Sequence, residues 1–97
     1  MRYTVRFRRA AEQDVSEALE WYESQQLGLG SSFLDEFDAT ISSIAEQPLL
    51  YPELYRSARR AVLHRFPYLV WYRTDESSVL VLACTHGKLN PKSVKRR

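Results

Sequence analysis

The chain has 97 residues, 44% of them hydrophobic and 27% charged, which is ordinary usage for one globular domain and not for a disordered chain. A single cysteine, Cys84, excludes an internal disulfide and a multi-cysteine zinc site, and no apolar run approaches the ~20 residues a membrane helix needs. The formal charge of +2 hides an asymmetry: Ala10 to Leu54 holds ten acids and no Lys or Arg, whereas Tyr55 to Arg97 holds ten Lys or Arg against Asp75 and Glu76. Such a distribution gives either two solvated faces or a dipolar molecule whose basic side meets a polyanion or an acidic protein. With no membrane span and no signal-peptide apolar core, a cytoplasmic protein is expected.

At the N-terminus Tyr3, Val5 and Phe7 alternate with Arg2, Thr4, Arg6 and Arg8, the period of a half-buried strand. The period then changes. Ala11, Val15, Ala18, Leu19, Tyr22 and Gln26 recur every three or four residues, predicting a helix whose acids, Glu12, Asp14, Glu17, Glu20 and Glu23, face solvent. Leu27-Gly28-Leu29-Gly30 supplies a stop and a short connection. Ser31 or Ser32 is the expected cap of a second helix carrying Phe33, Phe37, Ile41, Ile44 and Ala45, ended by Pro48, with Pro52 keeping the next stretch irregular.

The second half reads as strands. One is expected over Arg59 to Arg65, a second over Tyr68 to Arg73, and a third over Val79 to Thr85, separated by Pro67 and by the polar turn Asp75-Glu76-Ser77-Ser78. The last is almost wholly apolar, the mark of a strand buried on both faces, with Cys84 as a small core residue. The expected fold is α+β, βααβββ: a helical hairpin packed on a largely antiparallel four-stranded sheet, as one domain spanning residues 1–97 with a basic tail over 87–97.

No phosphate-binding loop, dinucleotide fingerprint, nucleophile elbow or paired-histidine motif occurs. His64, His86 and Cys84 are too few and too irregularly spaced for a metal, so neither metal nor cofactor is expected. Trp21 lies off the main helical stripe and either pads the core edge or anchors another protein. Arg56, Arg59, Arg60, His64, Arg65, Arg73 and His86 form a basic set, followed by Lys88, Lys92, Lys95, Arg96 and Arg97. Metal-independent RNA cleavage requires a base, an acid and cations around the phosphorane, so Arg60, His64, Arg65 and His86 are the candidates for that chemistry. A merely basic surface is the other reading of the same residues.

The opening Tyr3-Thr4-Val5-Arg6-Phe7, the helix ending in Trp21-Tyr22, the Gln47-Pro48 to Tyr51-Pro52 stretch and the block Arg60-Ala61-Val62-Leu63-His64-Arg65-Phe66-Pro67-Tyr68-Leu69-Val70-Trp71-Tyr72 carry a resemblance. Together with Val79 to Ala83 and His86, they resemble the RelE/ParE toxin superfamily of type II toxin–antitoxin systems over nearly the whole chain. The Phe66-Pro67-Tyr68 turn and His86 are most similar to the ParE-like branch. The resemblance implies the same βααβββ fold and a toxin neutralised in a hetero-oligomer by a cognate antitoxin, ParD-like or similar. It implies DNA gyrase as the target, with no catalytic residue. A RelE-like endonuclease acting on ribosome-bound mRNA and an antitoxin-binding homologue without toxicity are the alternatives. For the antitoxin, Trp21, Tyr22 and Phe33 are expected to border an apolar groove while Arg60, Arg65 and Arg73 meet acids. Lys88, Lys92, Lys95, Arg96 and Arg97 are the expected contacts to the target.

Overall fold

The computed structural model describes residues 2–87. In chain order these form β1 (Thr4–Phe7), α1 (Arg9–Gln25), α2 (Leu29–Glu46), a 3-10 turn (Pro48–Leu50), β2 (Glu53–Tyr55), β3 (Ala58–Val62), β4 (Tyr68–Thr74) and β5 (Ser78–His86). The strands make one sheet ordered β1-β5-β4-β3-β2, antiparallel except where β1 runs parallel to β5. Both helices lie on one face. Ala11, Ala18, Tyr22, Phe33, Phe37 and Ile44 from the helices close a core with Ala61, Val70, Tyr72, Val79, Val81 and Cys84 from the sheet.

The sheet has five strands where four were expected. The additional one, β2, is a three-residue edge strand, too short to show an alternating pattern after Pro52. Its pairing with β3 depends on a tight reversal at Arg56 and Ser57, both with positive φ (47° and 67°), a conformation that favours Gly or Asn and that neither residue signals. Expected strand limits shift as well: β3 occupies Ala58–Val62 and stops before Arg65, because Leu63 to Pro67 turns the chain.

The helical hairpin also departs from expectation. The second helix starts at Leu29, not after a serine cap, with Gly28 at its N-cap in the left-handed region (φ 90°). The cap comes from the other helix. Glu23 accepts hydrogen bonds from the Gly28 and Gly30 amides at 3.0 and 2.9 Å, satisfying donors that the helix start leaves open and placing a carboxylate at its positive end. Gly30 is required by close approach: a Cβ there would stand 2.8 Å from Glu23 Oε1 and 3.0 Å from the Leu19 carbonyl oxygen.

A bulge in β5 sets which residues face the helices. Trp71 pairs with Ala83 but Tyr72 pairs with Val81, so one extra residue enters β5. Val79, Val81 and Cys84 consequently join the helix-facing core, while Leu82 and Ala83 join Ala58, Leu69 and Trp71 on the other face. Past the end of β1, the edge of β5 would expose an amide, and α1 covers it: buried Asp14 accepts from Cys84 N at 2.9 Å. Asp14 was expected among the solvated acids of α1. It lies inward because this amide requires an acceptor once β1 has ended.

Candidate functional site

Two surfaces gather the residues singled out from sequence. The first is a groove beside α1, a cavity of about 480 Å³ lined by Trp21, Tyr22, Pro67, Tyr68 and His86. Trp21 is 57% exposed, so it does not simply pad the core edge. Its ring meets Tyr22 edge-on at 5.1 Å, and Tyr22 in turn contacts Phe33, Phe66 and Tyr68 at 5.2, 4.8 and 6.0 Å. Phe33, expected at the groove's border, is fully buried. It supports Tyr22 and Tyr68 from beneath instead of lining the surface, because α2 turns its Phe33–Phe37 face onto the sheet.

The second surface is the sheet face turned away from the helices. Register places Arg6 of β1, Leu80 of β5 and Arg73 of β4 in one row, and Ala83, Trp71 and Arg60 in the next. Paired residues share a face, so Arg6, Arg60 and Arg73 project on the same side. Trp71 forms the floor, its indole donating to Thr85 Oγ1 at 2.9 Å. The Arg60 Nε is buried with no hydrogen-bond partner among the described residues, an uncommon state for a guanidinium. Arg6 was not singled out from sequence, where it read simply as the solvent side of an alternating strand.

The structure separates Arg65 from this face. Arg65 sits on the β3–β4 turn, where its amide and Nε donate to the two Glu36 carboxylate oxygens at 2.5 and 2.9 Å. Burial pushes the Glu36 carboxyl up, but the Arg65 hydrogen bonds and charge outweigh that and hold it below the ordinary range. Arg59 faces the opposite way again: it donates to the Tyr51 carbonyl at 2.6 Å and lies 3.8 Å from Glu53. Beside it, buried Tyr72 donates its hydroxyl to the Pro48 carbonyl, and together they fasten the 3-10 turn.

The candidates for acid–base chemistry are dispersed. His64 lines a small cavity with Glu36, Thr40, Ser43, Tyr51 and Val62, whereas His86 lines the Trp21 groove and Arg60 lies on the far sheet face. Among the described residues no group of His, Cys, Asp or Glu is arranged to hold a metal ion. None of the helices there is long and apolar enough to cross a membrane. Cys84 lies in the core, its thiol pushed up to about 12 by burial. Lys88, Lys92, Lys95, Arg96 and Arg97 lie outside the described residues.

The fold and its two surfaces define a small α+β protein with a helical hairpin on one face of a five-stranded sheet and an arginine-bearing opposite face. The model for the ParE toxin of the type II toxin–antitoxin system parDE matches residues 5–91, and the chain belongs to that family. It is 29% identical over 92 residues to Toxin ParE2 of Mycobacterium tuberculosis, in the CDC 1551 and H37Rv strains alike, covering 94% of this chain and 88% of the relative. Among solved structures it resembles the chromosomal ParDE system from P. aeruginosa, with a TM-score of 0.74 and 13% identity over 87% of this chain and 95% of that one. It also resembles the RelBE2 toxin–antitoxin complex from M. tuberculosis, with a TM-score of 0.61 and 21% identity over 89% and 99%. The chain is thus a type II toxin of the ParE/RelE kind, with the fold shared by both branches.

Proposed function

We propose that this toxin acts as a protein-binding poison of DNA gyrase and is silenced by a cognate antitoxin that occupies the Trp21 groove and the arginine face. The observation that carries the reading is that Arg60, His86 and the adjacent pair His64 and Arg65 beside Glu36 stand on three separate surfaces. Cleavage of a phosphodiester needs its acid, base and cations within hydrogen-bond reach of one phosphate. The antitoxin part of the reading is supported by the ParDE and RelBE2 relatives, which are toxin–antitoxin systems. It is supported also by Arg6, Arg60 and Arg73, which form no ion pair among the described residues and suit the carboxylates of an acidic segment that folds on contact.

The deciding assay combines purified gyrase, plasmid and this protein. Loss of supercoiling with accumulation of linear, protein-linked DNA is expected. Unaltered gyrase at large molar excess, together with cleavage of ribosome-bound mRNA, would replace this reading by the RelE-like one. In cells, filamentation with DNA-damage signalling accompanies the first mechanism and rapid translation arrest the second.

A further inference from the structure

The groove beside α1 has a chemistry that an apolar docking site alone does not require. Its walls are π-systems set edge to face: Trp21 on Tyr22 at 80°, Tyr22 against Tyr68 at 65°, and Tyr68 against His86 at 75°. The face of such a ring carries the negative part of its quadrupole. Glu17 lies one helical turn before Trp21 on the exposed side of α1, so the two side chains are neighbours. Its charge is felt inside: burial raises the Tyr68 phenol, and Cys84 and Glu17 add to that rise. Beyond Arg9, α1 carries Glu12, Asp14, Glu17, Glu20 and Glu23 and no Lys or Arg. The Arg65 guanidinium, on the turn beside the groove's Pro67, stacks over Phe66 at 5.9 Å and is tied to Glu36.

We infer that this cavity receives an arginine or lysine side chain of the antitoxin, its stem against Trp21 and Pro67 and its charge over the tyrosine rings beside Glu17. An apolar anchor would bury as much surface but would take water from the Glu17 carboxylate and the tyrosine hydroxyls without replacing it. A carboxylate would be repelled by Glu17. A cation on an apolar stem matches Trp21, Pro67, the tyrosine rings and Glu17 together. The inference deepens the antitoxin reading and rests on it for the identity of the partner alone.

The test uses the full 97-residue protein and follows the Trp21 indole N–H resonance, assigned by its loss in Trp21→Ala, while adding the peptide Ac-Gly-Leu-Arg-Leu-Gly-NH2. Versions with norleucine or glutamate at the central position serve as comparison. The arginine peptide is expected to bind at least about fivefold more tightly than the norleucine one, and the glutamate one least. Glu17→Gln should reduce the arginine preference to about twofold or less with norleucine binding unchanged. Equal affinity of the arginine and norleucine peptides, or an arginine preference untouched by Glu17→Gln, overturns the site. Concentration-dependent shifts of Trp21 without peptide overturn it too, by assigning the groove to a second copy. Formation of the antitoxin complex is measured separately. An arginine preference without complex formation overturns the choice of partner, whereas a complex formed without any such preference overturns the cation site and leaves the antitoxin reading intact.

Discussion

Single residues in this chain carry roles that their exposure pattern alone would not assign. Asp14 stands on the acidic side of α1 yet is buried, accepting the Cys84 amide where β5 outruns β1. Asp14→Ala leaves that amide unsatisfied and should cost about 1–3 kcal/mol in urea unfolding. Cys84 itself is a packing residue. Its thiol is raised from 9.0 to about 12, so the folded state prefers the protonated form. The stability this contributes is complete below pH 9 and is lost as pH rises from 9 through 12. Denaturation midpoints measured across that window should therefore fall, and fall less steeply in Cys84→Ala. Thiol reagents at pH 8 should react with Cys84 only upon unfolding.

At the scale of elements, two carboxylates tie units that are apart in the chain. Glu23 joins the end of α1 to the start of α2, and Gly30 leaves the room for it. Gly30→Ala should cost about 1–3 kcal/mol and lower the melting temperature, because the Leu19 carbonyl is backbone and cannot turn aside. Glu36 of α2 holds the β3–β4 turn through Arg65. Its carboxyl lies below the unfolded value of 4.5, so its contribution is present above that pH and is lost as the solution is acidified below it. Glu36→Gln should flatten the acid limb of the stability curve and speed exchange of the Arg65 amide. Loss of the turn's position would also shift Phe66, which packs on Tyr22, and Tyr68, a wall of the Trp21 groove.

For the whole molecule, the charge asymmetry of the sequence becomes a spatial one. The acids of α1 and α2 lie on the helical side, and Arg6, Arg60 and Arg73 on the opposite sheet face. A partner that wraps both sides would meet opposite fields, acids matching the sheet face and a cation matching the groove. Arg60→Ala with Arg73→Ala should weaken antitoxin binding by about tenfold or more at low salt and reduce the dependence of affinity on ionic strength. Arg65→Ala should act mainly through turn stability, since its guanidinium is already paired with Glu36. Equal losses of affinity for these two changes at every salt concentration would argue against the sheet face as the acidic partner's contact.

Much of the fold was legible because periodicity is local. The alternation at Tyr3, Val5 and Phe7, the helical spacing from Ala11 to Tyr22, and the apolar density of Tyr68 to Arg73 and Val79 to Thr85 identify elements without reference to one another. The family was legible for a related reason, since the block from Arg60 to Tyr72 is continuous in the chain. What tertiary structure alone decided were pairings between distant residues. The bulge at Leu82–Ala83 is invisible in a run that is apolar on both faces, and it fixes Cys84 inward and Asp14 beneath it. The grouping of Arg6 with Arg60 and Arg73, and the departure of Arg65 toward Glu36, follow from strand register and from a turn's position. Strand order and register are long-range quantities, set by which faces bury together, and so no local pattern of residues encodes them.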